Sequence, residues 1–127
     1  MPRTVLVPDA VHPITIEPTG RRVVVRVGAH VVADTCAALT LREASYPPVH
    51  YLPLADVDAS VLRPSDTSSY CPYKGEANYH TVETPDGVRL DDLIWGYEQP
   101  YPAVAAIAGH VAFYPDRVTI TVTDPAS

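Results

Sequence analysis

The chain has 127 residues, 46% of them hydrophobic, and 9 basic against 15 acidic side chains leave a formal charge of −6. That length fits one domain, residues 1–127, around one core and leaves no room for separate binding and catalytic halves. The acidic balance repels phosphate backbones and excludes nucleic acid as a partner.

No basic patch followed by a continuous apolar run opens the chain, so neither a signal peptide nor a membrane span is expected, and cytoplasmic residence without a membrane partner is the default. Fourteen prolines against six glycines predict many short elements joined by turns. Residues 14–17 read as a first strand, and Pro18-Thr19-Gly20 turns the chain toward the β-branched run 22–27. Gly28-Ala29 connects that run to 30–34 as a hairpin, and Leu39 and Leu41 alternate with polar neighbours in a further strand over 38–43. After Pro47-Pro48, residues 49–52 resume an extended course, and 55–62 hold one or two helical turns. Residues 63–69 read as a polar loop that delivers the chain to a chemically dense segment.

Residues 77–83 and 88–90 form a hairpin around Asp86-Gly87, and 91–97 extended would place Trp95 and Tyr97 on one side. A short helix is expected over 103–108, followed by a closing hairpin of 111–114 with 118–122. The elements together predict a compact, β-rich domain. Exposed edges of short sheets leave a homodimer open.

The dense segment is Tyr70-Cys71-Pro72-Tyr73-Lys74-Gly75-Glu76-Ala77-Asn78-Tyr79-His80. Cys71 lies three residues from Lys74, the only lysine, so an ammonium within reach would favour a nucleophilic thiolate. The alternative for Cys71 is a thiol that fills space among aromatic rings, and for Lys74 a surface ion pair with Glu76 or another carboxylate. Cys36, among small apolar residues, reads as core filler. Glu43, Asp56, Glu76 and His80 are candidates for a general base, but no His-x-His, His-Glu-x-x-His or paired Cys-x-x-Cys spacing occurs, so neither a metal nor another cofactor is expected. Arg21-Arg22 with Arg26 is the one basic knot: solvated strand ends, or with Arg22 an anchor for an anionic ligand group. Trp95 and Tyr97 suit stacking on a flat or sugar-like ligand, or core packing. His12, near the start of the chain, is assigned no role.

Beyond these features the chain resembles the family called domain of unknown function 427, also labelled nucleotidyltransferase-like. The resemblance runs over about 22–122 and rests on Ala33-Asp34 with Leu41 and Glu43, on Tyr51-Leu52-Pro53 with Asp56-Val57, and on the Cys71–Ala77 segment with Tyr79. Trp95, Tyr97 and Pro100, then Ile107, Gly109 and Val111-Ala112-Phe113-Tyr114, complete it. It implies a mainly β fold, a compact mixed β barrel or folded sheet of short strands with one or two short helices, and a central groove. Leu52 departs from the family's usual aromatic there, which would enlarge or reshape the groove.

The nucleotidyltransferase label finds no support in the residues, because neither a carboxylate set for a divalent ion nor a phosphate-binding turn is evident. Residue chemistry and resemblance together point to a metal-independent pocket. In it Glu43 and Lys74 orient a polar ligand, Tyr51 and Tyr79 donate hydrogen bonds, Trp95 stacks, and Cys71 lines or attacks, with Arg22, Glu76, His80 and Tyr97 as further binding candidates. The reading is a small-molecule-binding domain whose unknown ligand includes anions among the candidates. Its alternatives are a small enzyme using Cys71 as nucleophile or Glu43 and His80 as acid and base, and a structural or protein-interaction domain.

Overall fold

The structure, a computed structural model, describes residues 4–124. Its strands are β1 (Ile14–Pro18), β2 (Arg22–Val27), β3 (His30–Thr35), β4 (Leu39–Glu43), β5 (Val49–Pro53), β6 (Leu62–Cys71), β7 (Gly75–Glu83), β8 (Arg89–Gly96), β9 (His110–Phe113) and β10 (Thr119–Thr123). Three short 3₁₀ segments, Leu54–Asp56, Ala59–Val61 and Pro102–Ile107, supply the helical content. None of the described helices is long and apolar enough to cross a membrane.

Seven strands form one sheet in the order β1-β4-β5-β9-β8-β7-β6, and β10-β2-β3 form a second. Every ladder is antiparallel. The protein is therefore a folded-sheet β structure, not a barrel: β1 and β6 remain as edges of the large sheet.

Successive residues of a strand point to opposite faces, and this period divides the interior into two cores. Leu52, Ile94, Val111 and Phe113 pack with Val23, Val25, Val27 and Val32 between the sheets. Their strand neighbours Tyr51, Trp95 and Ala112 join Leu41, Ala77, Tyr97, Val104 and Ile107 in the second core. Leu52 thus faces away from Tyr51, and its departure from the family pattern falls in the core between the sheets.

Three expectations are corrected. Residues 63–69 belong to strand β6, paired with β7. As an outer strand β6 is largely exposed on both sides, so it lacks the apolar alternation that marks a half-buried strand, and Pro64 is tolerated there. The closing hairpin does not form: the turn after Tyr114 redirects the chain, so that β9 pairs with β5 and β8 while β10 pairs with β2. Cys36 is exposed, and Ala38, two residues on, takes the buried position.

Candidate functional site

The tip of the β6–β7 hairpin is Cys71-Pro72-Tyr73-Lys74-Gly75. Pro72 presets a turn conformation. Lys74 N–H donates to the Cys71 carbonyl at 3.2 Å, and Gly75 closes the turn at φ 111, a conformation open mainly to glycine. This tight turn points the Lys74 side chain inward, and the residue is only 8% exposed. A buried ammonium needs a partner, and it has one in Glu43 at the end of β4, whose Oε1 accepts from Lys74 Nζ at 2.5 Å. The Cys71 Sγ lies 3.9 Å from the same Nζ.

Glu43 Oε2 accepts from His12 Nε2 at 2.7 Å. The His12 ring stacks on Tyr73, with centroids 4.1 Å apart and planes 6° from parallel. Burial lifts the Glu43 carboxyl, but the hydrogen bonds and charges of Lys74 and His12 outweigh it and hold the group below its usual range. The result is a chain of contacts, His12–Glu43–Lys74–Cys71, that ties the N-terminal arm, β4 and the hairpin tip together.

The sequence alone suggests no role for His12, yet the arm that carries it is fixed. Asp9 Oδ1 accepts from the N–H groups of Val11 and His12 at 2.9 and 2.8 Å, Leu6 N–H donates to the Pro72 carbonyl at 2.9 Å, and Tyr70 donates to the Thr4 carbonyl at 2.5 Å. The signal was available in Asp9-Ala10-Val11-His12-Pro13, because an aspartate two and three residues before such N–H groups builds an Asx turn.

Lys74 and Glu43 line a groove of about 450 Å³, walled also by Leu41, Val49, Tyr51, Trp95, Tyr97, Tyr46 and prolines 47, 48 and 115. Trp95 Nε1 donates to Tyr51 Oη at 3.3 Å. Burial pushes the Tyr51 phenol up to about 12 and raises Tyr97 as well, so both remain neutral donors. Trp95 also packs on Tyr114, with ring centroids 4.6 Å apart.

Five of the expected residues, Glu43, Tyr51, Lys74, Trp95 and Tyr97, therefore line one groove, and a sixth, Cys71, meets them through its contact with Lys74. Tyr79 pairs with Trp95 across the ladder and contacts Ser69 Oγ at 2.9 Å, beside the groove and not in its wall. The others lie apart. Arg22 is on the small sheet, bound bidentately to Asp34 at 2.9 and 2.7 Å. Glu76 lines a separate polar recess with Glu98, Gln99 and Tyr101. His80 lines a small cavity of about 50 Å³ with Asn78, Glu98 and His110, so it shares no cavity with Glu43 as an acid–base partner. The carboxylate that meets Lys74 is Glu43 and not Glu76. Among the described residues, no group of three or more His, Cys, Asp or Glu side chains is arranged to hold a metal ion.

The family model described as Domain of unknown function (DUF427) matches residues 15–124. The chain belongs to the DUF427 family. No curated protein matches it. The DUF427 match runs from the second residue of β1 through β10 and takes in every convergent residue; His12 lies before it.

These contacts set a direction for acid unfolding. The Glu43, Asp34, Asp58 and Asp92 carboxyls are all held low, chiefly by hydrogen bonds that outweigh burial, so each contributes stability above its unfolded pKa and loses it as pH falls through the folded one. Burial lowers His50, so below 6.5 the unfolded chain takes up a proton that the folded chain refuses. Both effects have one sign. Stability read from urea midpoints should fall steadily from pH 7 to pH 3, first through His50 and then through the carboxylates; a maximum near pH 5 would contradict this assignment.

Proposed function

We propose that the DUF427 chain is a small-molecule-binding domain whose ligand is a flat, neutral compound with one polar end. Trp95, Tyr51 and Tyr97 would hold the flat body, and Lys74 with Glu43 would bind the polar end. The observation that carries this reading is the burial of the only lysine, as an ion pair, in the wall of an otherwise apolar and aromatic groove. A buried ion pair contributes little to folding compared with apolar side chains of the same volume, so its placement is better explained by recognition than by stability.

A neutral ligand is favoured over an anionic one because, among the described residues, Lys74 is the only cation lining the groove, and Glu43 already neutralises it. Glu43 as acceptor and Lys74 as donor suit a paired donor and acceptor, such as an amide, a carbonyl hydrate or a ring nitrogen beside an N–H. Cys71 is not among the residues that wall the groove, and its Sγ lies 3.9 Å from Lys74 Nζ.

Trp95 is the only tryptophan, so intrinsic fluorescence reports on this groove without labelling. Titration with neutral aromatic and heterocyclic compounds should change its emission and raise the unfolding temperature in parallel. Lys74→Met should weaken that binding by about tenfold or more, the loss of one charge-assisted hydrogen bond, and Cys71→Ser should retain most of it. Unchanged emission across such compounds at millimolar concentration, or equal affinity in Lys74→Met, would sink the proposal.

A further inference from the structure

We propose that the groove selects a fused 2-amino-4-oxopyrimidine, the ring of guanine and of the pterins, by its hydrogen-bonding edge, and takes it as a free base or nucleoside. This rests on the groove's being a ligand site and names the class of ligand.

The polar side chains of the groove leave a definite set of hydrogen-bonding positions open. Glu43 is an ionised carboxylate, so its oxygens only accept, and together they offer about four acceptor positions. Lys74 Nζ fills one on Oε1 at 2.5 Å, and His12 Nε2 fills one on Oε2 at 2.7 Å. Each oxygen keeps a position. Lys74, ion-paired as an ammonium, only donates. One of its N–H groups goes to Oε1 and another reaches Cys71 Sγ at 3.9 Å, which leaves one more. Glu43 and Lys74 line the groove while His12 and Cys71 do not, so the latter two take their positions from outside it and the remainder is left to a ligand within.

Because Lys74 sits on Oε1 and His12 on Oε2, the open positions run in the order donor, acceptor, acceptor. The complementary edge reads acceptor, donor, donor. A carbonyl, a ring N–H and an amino group in that order form the edge of guanine and of the pterins. Adenine and cytosine set a ring-nitrogen acceptor against the carboxylate, uracil and xanthine set a second carbonyl against it, and hypoxanthine lacks the amino group. Each mismatch leaves a largely buried polar group unpaired or faces two acceptors together, and a site built this way rejects such analogues strongly. Trp95, Tyr51 and Tyr97 supply aromatic surface for the fused ring. Among the described residues no arginine lines the groove, and Glu43 neutralises its one lysine, so a phosphate gains no partner there.

The test titrates the wild-type protein calorimetrically, so that neither ring absorption near the Trp95 emission nor the folding of a variant enters the answer. The probes are guanosine, neopterin, inosine, adenosine, guanosine 5′-monophosphate and, as a flat neutral amide without the full edge, benzamide.

Guanosine or neopterin should bind about tenfold or more tightly than inosine, the effect of one hydrogen bond to a charged acceptor. The tighter of the two tells a purine site from a pteridine site. Adenosine should bind no better than inosine, and the monophosphate no better than guanosine. If guanosine, neopterin, inosine and adenosine bind alike, or benzamide binds and they do not, the edge inference is overturned and the reading of the groove as a site for flat neutral compounds stands. A monophosphate tenfold tighter than guanosine would overturn the choice of a base or nucleoside. If no probe binds at millimolar concentration, both readings fall.

Discussion

Glu43→Ala is expected to lower the unfolding free energy by about 3–5 kcal/mol, the usual consequence of leaving a buried charge without its partner. The side chains of Lys74 and Glu43 are 10% and 14% exposed. With the carboxylate gone, the contact that remains to the ammonium among the described residues is the weak one to Cys71 Sγ at 3.9 Å. Lys74→Met should be milder, because His12 still donates to Glu43 Oε2. The asymmetry is specific to the three-membered arrangement and would be absent from an isolated pair. Joint replacement, Glu43→Leu with Lys74→Met, should recover most of the stability while ending ligand recognition. Urea unfolding of the four proteins completes the cycle. A Glu43→Ala loss below 1 kcal/mol would mean that Lys74 reaches water in a way its burial does not suggest.

Phe113→Ala should have an effect of similar size from a different cause, about 3–5 kcal/mol from lost burial and the cavity left behind. Phe113 is the only phenylalanine, 3% exposed, opposite Ile94 in the β8–β9 ladder and within the core between the sheets. Ala112, the next residue back, faces the other core and pairs with Trp95. The substitution should therefore weaken the contact between the sheets while leaving Trp95 emission and its response to ligand unchanged in the folded fraction. A loss under 1 kcal/mol, or a large shift in native Trp95 emission, would contradict the separation of the interior into two cores by one sheet.

Local chemistry made much of this legible from sequence. Valine runs and the Asp86-Gly87 turn marked β2, β3, β7 and the start of β8, and the rarity of lysine and tryptophan singled out Lys74 and Trp95. The errors lie where a distant partner decides. β9 and β10 follow one another across a short turn, which suggests a hairpin, yet the valines of β2 offer β10 a ladder on the other sheet. Residues 63–69 are polar because an exposed outer strand has no buried face to fill, and polarity alone resembles a loop. His12 and Lys74 each reach Glu43 across 31 residues of sequence, a distance over which no periodicity operates. Residue chemistry and resemblance group Arg22, Glu76 and His80 with the site, and the strands carry them elsewhere.

The pairing of β10 with β2 also governs the order in which the molecule can be made. Synthesis delivers β2 and β3 early, but the third strand of their sheet spans Thr119–Thr123 and emerges among the last residues described. Until then the hairpin cannot complete its ladder, and Val23, Val25 and Val27 lack the strands β8 and β9 that later cover them. The large sheet has the same delay, since β5 must wait for β9. Such distant pairings must close long loops before contacts offset the lost entropy, which slows folding compared with chains built from neighbouring elements. A chain under synthesis therefore carries the valine-rich β2–β3 hairpin without the third strand of its sheet until residues 119–123 follow.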